Sequence, residues 1–151
     1  MADTTRFLAA LESHRLVALD TSLFIYHMER HPTYLPLTRL LFQRLEQGLN
    51  LAEVSVLLVT EILAAPKRAG DPDLVRAYER LLHEFPNLQI RAVDWAVAEL
   101  AADFRARFDL RTPDALHLAS AVVHGAQAFV TNDRRLAGLT DIVVLCLSDY
   151  V

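Results

Sequence analysis

The sequence predicts a three-layer α/β/α domain, with a central parallel sheet of four or five strands and helices on both faces. Three observations carry that prediction. Short β-like runs alternate with longer helical stretches along the chain. The first such run, Leu16–Asp20 (LVALD), is apolar on both sides until its terminal aspartate, as expected of a strand covered on both faces. No repeat, linker or Gly/Ser-rich segment divides the 151 residues, which hold only four glycines. That length suits one domain with a sizeable core.

The elements follow in order. A first helix from Thr4 or Thr5 to about Ser13 places Phe7, Leu8 and Leu11 on one face, and residues 1–15 form a helical extension ahead of the first strand. Helices over Thr21–Glu29 and Leu35–Gln47 are separated by His31-Pro32, and Gly48 ends the second. Leu51–Ser55 reads as a strand, with Ser55 placed to cap a helix running to about Arg68, although VSVLLV alone fits either a strand or a buried helix. Asp71-Pro72 opens a helix to about Phe85, with proline at its tolerated first position. Leu88–Val93 is a strand, and Asp94 caps a helix from Trp95 to about Phe108, on which Trp95, Phe104 and Phe108 read as core. Thr112-Pro113-Asp114 supplies an N-cap, an N1 proline and a first-turn acid for an alanine-rich helix that ends at Gly125. Ala128–Thr131 and Ile142–Leu147 complete the sheet.

Composition narrows the function. The apolar fraction of 53% and charged fraction of 23% exclude a disordered or fibrous chain. The lone Cys146 has no intramolecular disulfide partner and lies in an apolar run, which favours a reducing compartment and an inert thiol. Residues 1–15 carry Asp3 and Glu12 and lack the apolar centre of a signal peptide, and Val54–Thr60 is too short to span a bilayer. The expectation is a soluble, cytoplasmic protein. A net charge of −4 argues against nonspecific attraction to nucleic acid, but it does not describe the chemistry of a site.

In a doubly wound sheet, sites form outside the carboxyl ends of the strands where strand order reverses. Asp20 closes the first strand and Asp133 follows AFVTN, so the two face each other if those strands are neighbours. Asp114 opens the helix before Asp133, and Glu61 lies in the otherwise apolar LLVT-EILAA. Taken singly, each acid also has a structural reading. Asp20 can cap a helix, Asp114 suits a helix dipole, Asp133 fits a turn, and Glu61 needs a partner. Together they describe converging carboxylates whose pKa values rise by repulsion unless a cation joins them, and an oxygen-rich set suits magnesium or manganese.

The segments LDTSLFIY, VTEIL, RTPDALHLASA and VTNDRRL resemble, in order from Leu16 to about Leu147, the acidic motifs of PIN-domain ribonucleases, including VapC-like toxins of toxin–antitoxin pairs. That resemblance implies a PIN-like fold and a metal-dependent endoribonuclease with Asp20, Glu61, Asp114 and Asp133 as its acidic set. It implies Mg²⁺ or Mn²⁺ held by Asp20, Asp114 and Asp133, with Glu61 ligating directly or through water. Ser22 and Thr131 or Asn132 match the accompanying polar positions. The implied partners are an RNA substrate, a small antitoxin and a second copy in a homodimer. Unlike many family members, this chain carries about fifteen residues before the first strand.

Lys67, Arg68, Arg111, Arg134 and Arg135 flank three of the four acids and are candidates for holding the RNA backbone, though each also reads as a solvated surface charge. His117, three residues after Asp114, can reach the same helix face. Three other functions stay open, the first of them a PIN-like RNA-processing nuclease without an antitoxin and the second a phosphatase or phosphotransferase on a similar sheet. A phosphatase using Asp20 as nucleophile would want an acid where Ser22 stands and a well-placed lysine, of which Lys67 is the only one. In a catalytically silent interaction module the acids would merely cap helices.

Overall fold

Each strand lies parallel to its sheet neighbours, because a connection long enough to carry the chain back separates it from the next. The computed structural model describes residues 1–151. The elements are α1 (Thr4–Ser13), β1 (Leu16–Leu19), α2 (Thr21–Met28), α3 (Leu35–Glu46), β2 (Leu51–Ser55), α4 (Leu57–Arg68), α5 (Pro72–Glu84), β3 (Leu88–Arg91), α6 (Trp95–Phe108), α7 (Thr112–Val123), β4 (Ala128–Thr131) and β5 (Val143–Cys146). Short 3₁₀ turns follow β4 at Arg134–Leu136 and β5 at Leu147–Tyr150. No helix is long and apolar enough to cross a membrane.

The five strands are ordered β3-β2-β1-β4-β5, so strand order reverses between β1 and β4. The register pairs Leu19 with Val130 and places the residues after both strands side by side. Alternation of side chains divides the core in two. Val17, Leu19, Ala52, Val54, Ala128 and Val130 pack against the layer of α1 to α5. Ala18 and Phe129 meet α6 and α7 on the other face.

The predicted elements are present, with boundaries shifted by a few residues, and the differences have physical causes. Strict alternation fails between β4 and β5, which are joined by a 3₁₀ turn and loop in place of a helix. At α7 the N-cap is Arg111, not Thr112, and it makes no side-chain cap bond because a guanidinium only donates; its Nε donates to Asp114 instead. Ser55 Oγ does accept the Leu57 amide at 3.2 Å, one residue ahead of the N-cap Val56. Trp95 is not a core residue: it is 83% exposed at the start of α6, and its Nε1–H donates to Glu99 at 2.7 Å. Phe104 is buried and Phe108 partly so. Cys146 is buried, as its apolar run suggested.

Helix α1 is built into the domain. Phe7 and Leu11 are fully buried, and Phe7 packs against Tyr150 with ring centroids 5.1 Å apart. The Asp3 amide donates to the Tyr150 carbonyl at 2.5 Å. Buried Asn50 ties the same region together. Its Nδ2 donates to the carbonyls of Leu11, His14 and Arg15 at 3.0, 2.9 and 3.1 Å, while its Oδ1 accepts from Arg44 Nε at 2.6 Å.

Candidate active site

The site is built where β1 and β4 end. Asp20 follows β1 directly and caps α2, its Oδ1 accepting the Thr21 amide at 2.8 Å. Its Oδ2 accepts from Thr131 Oγ1, the last residue of β4, at 2.7 Å. The same hydroxyl oxygen accepts the Asp133 amide at 3.0 Å. Thr131 therefore links the two acids across the point of strand reversal. Asp20, Ser22, Tyr26, Asn132, Asp133 and Arg134 line one cleft there.

Glu61 and Asp114 arrive from helices on opposite faces of the sheet. Glu61 sits in α4, and its Oε1 accepts from Thr21 Oγ1 at 3.1 Å and from His117 Nε2 of α7. Asp114, in the first turn of α7, accepts from Arg111 Nε at 3.0 Å. Arg135 bridges two of the acids, with Nη2 at 2.5 Å from Asp133 Oδ2 and 3.4 Å from Asp114 Oδ2.

The electrostatics divide the acids. Burial pushes the Asp20 carboxyl above its ordinary pKa; the Thr131 bond and nearby His117 oppose this, and Glu61 adds a smaller upward push. Asp133 is shifted the other way, because the Arg135 hydrogen bond holds it below the usual carboxylate value. Glu61 also lies low, chiefly through its bond with His117. The expected mutual repulsion is thus largely answered by side chains of the chain itself. As those side chains stand, no three acidic, histidine or cysteine groups converge as a ligand set, and Arg111, Arg135 and His117 pair with the acids.

The donor chemistry nevertheless fits a hard divalent cation. All four acids present oxygen, and the guanidinium of Arg135 already lies across Asp114 and Asp133 as a cation would. Ser22 Oγ is a buried hydroxyl without a partner, in the wall of the same cleft.

The other predicted residues are distributed unevenly. Asn132 serves the scaffold: its Nδ2 donates to Tyr26 Oη at 3.1 Å, and its Oδ1 accepts the Ser148 amide at 3.0 Å. Of the basic candidates, Arg111 and Arg135 contact the acids. Arg134 lines the cleft but pairs with Asp149 at 2.8 Å. Lys67 and Arg68 occupy the exposed last turn of α4, beyond Glu61, and contact none of the acids.

Three residues were not assigned these roles by sequence. Thr21 and His117 orient Glu61, and only the spacing of His117 from Asp114 hinted at its position. Glu53 is a buried strand acid on β2 whose Oε1 has no partner; burial raises its pKa to about 7 against the opposing pull of Arg91. Its signal was an acid in the middle of an apolar strand.

A family model described as "PIN domain" matches residues 17–141. No curated protein matches the sequence. Among solved structures, the chain is similar to one in DNA-bound VapBC from Salmonella typhimurium, with 19% identity, a TM-score of 0.68 and coverage of 87% of this chain and 97% of that one. A chain of VapBC-1 from nontypeable Haemophilus influenzae gives 18% identity, a TM-score of 0.67 and coverage of 88% and 98%. A chain of VapBC2 from Rickettsia felis, bound to a DNA fragment from their promoter, gives 15%, 0.67, 87% and 98%. At these identities the likeness is one of fold.

Proposed function

The chain belongs to the PIN domain family, and on that premise we propose that it is a metal-dependent endoribonuclease, the toxin of a toxin–antitoxin pair. The observation that supports this reading is that Thr131, at the end of β4, accepts the Asp133 backbone amide and donates to Asp20 at the end of adjacent β1, while Glu61 bonds Thr21 and Asp114 shares Arg135 with Asp133.

Asp20, Asp114 and Asp133 would hold Mg²⁺ or Mn²⁺. When bound, such an ion polarises the phosphate and lowers the pKa of a water, supplying the nucleophile for phosphodiester hydrolysis. Thr131 and the Thr21 amide fix both oxygens of Asp20. Thr21 and His117 occupy Glu61 Oε1, which leaves Oε2 as the oxygen to ligate or to orient a water. The unpartnered Ser22 hydroxyl is suited to donate to a phosphate oxygen. No activating base bonds it, so it orients and does not attack. Lys67, Arg68, Arg111, Arg134 and Arg135 are the proposed contacts to the RNA backbone.

The proposed partners are an RNA substrate, a small antitoxin and a second copy of the chain. The VapBC complexes among the similar structures support the antitoxin. Asp114→Asn tests the enzyme reading. It keeps the size of the side chain and removes its charge, so cleavage of a mixed RNA pool with Mg²⁺ or Mn²⁺ should fall by at least ~10²-fold, the scale on which a direct charge contact lowers kcat. The fold should remain intact by circular dichroism, and wild-type products should carry 5′-phosphates. Wild-type rates from the folded mutant would remove Asp114 from the ligand set. A 2′,3′-cyclic phosphate would exclude water as the nucleophile.

A further inference from the structure

We propose that Arg135 is a resident counter-ion that changes partners. Without metal it holds Asp133 and Asp114; when a divalent cation takes those carboxylates, it passes to the RNA phosphate. The inference rests on the metal site proposed above for its first half and on RNA as the substrate for its second.

The geometry is specific to this arginine. Its Nε lies 2.9 and 3.1 Å from the two oxygens of Asp133, and its Nη2 reaches both Asp133 Oδ2 and Asp114 Oδ2. One nitrogen thus engages an oxygen of each acid, so a cation that takes both oxygens must displace it. The other arginines are placed differently. Arg111 contacts Asp114 but not Asp133, and Arg134 is held by Asp149.

Displacement is physically accessible. The Arg135 side chain is 61% exposed, so little burial is lost when it moves. It is also tethered. Arg135 follows Asp133 by two residues in the 3₁₀ turn, and its own amide donates to Asp133 Oδ1 at 3.0 Å. A guanidinium released on so short a leash stays beside the acids, in reach of a phosphate approaching them. Its planar fork suits bidentate phosphate contact as well as it suits carboxylate. Exchange also balances charge: the acids trade one positive charge for two, and the freed one meets the anionic substrate.

The test uses the full chain. Isothermal titration with Mn²⁺ compares wild type, Arg135→Gln and Arg135→Lys, and steady-state cleavage of an oligoribonucleotide at saturating Mn²⁺ follows. Removing the competing guanidinium should tighten Mn²⁺ binding roughly fivefold, the worth of a partly exposed ion pair. Arg135→Lys should lie between the two, since it keeps the charge and loses the fork. The KM for RNA should rise in Arg135→Gln by about tenfold, in line with loss of one charge-assisted contact. Unchanged or weaker Mn²⁺ binding in Arg135→Gln would overturn the counter-ion role, and tighter binding with an unchanged KM would overturn the transfer to phosphate. Wild type that binds Mn²⁺ and cuts no RNA would sink the nuclease reading instead, because the Mn²⁺ titration does not depend on cleavage.

Discussion

Glu53 shows how much a single side chain can be asked to bear. It lies in β2, 2% exposed, with one oxygen unpartnered and the other 3.4 Å from Arg91 Nε. The charged group facing it is Arg91 from β3, and His117 of α7 lines the small void beside it. In the unfolded chain it gives up its proton near pH 4.5, but in the folded domain only near pH 7. The native state therefore binds the extra proton within that window, and stability is lost as pH rises through it. Glu53→Gln removes the titration. The variant should match wild type near pH 4 and melt higher at pH 8 by roughly 3–6 °C, which corresponds to ~1–2 kcal/mol in a domain of this size. Thermal melts at both pH values check this, and an equal difference at each would show that Glu53 is not the titrating group.

At the scale of elements, Asn50 does what no regular hydrogen-bond ladder does. It gathers the end of α1, the approach to β1 and the side chain of Arg44 on α3. Asn50→Ala takes the side-chain donor from the His14 carbonyl and the acceptor from Arg44, while the carbonyls of Leu11 and Arg15 keep the amides of His14 and Leu51, and it should cost about 2 kcal/mol in urea unfolding. A loss below 1 kcal/mol would mean that water replaces the amide. The elements themselves were legible because helices and strands repeat their burial locally. LVALD, the Asp71-Pro72 and Asp94 caps and the glycines after α3 and α7 each declare themselves within a few residues. What was illegible depends on topology. His117 meets Glu61 across 56 residues and Thr131 meets Asp20 across 111, distances over which no periodicity speaks. Arg111 and Arg135 were named from sequence as candidate contacts to RNA, but nothing local showed that they pair with Asp114 and Asp133. Trp95 misled for a related reason. It shares a helix with buried Phe104, but it lies at the first turn, where no other element covers it.

Across the whole molecule, two hydrophobic clusters use opposite faces of one sheet, so neither can dissolve without stripping the strands of the other. Phe42 belongs to the α1–α5 side and Phe104 to the α6–α7 side, both buried. Phe42→Ala and Phe104→Ala should each cost ~3–5 kcal/mol and lower a single melting transition. Near- and far-ultraviolet circular dichroism should report the same midpoint in both variants. Separate midpoints in either would show that the faces unfold independently. The shared sheet also carries the site: α7 fills the second cluster with Leu118 and Ala119 while presenting Asp114 and His117 at its start. Packing and chemistry are thereby set by the same helix.

The order of the strands has a consequence for how the protein is made. Asp20 leaves the ribosome early, but β4 and Thr131 emerge 111 residues later, and only then can they slot in beside β1. Until that moment the acids hang on separate stretches of nascent chain. The site therefore does not exist on the nascent chain until β4 has emerged and paired with β1.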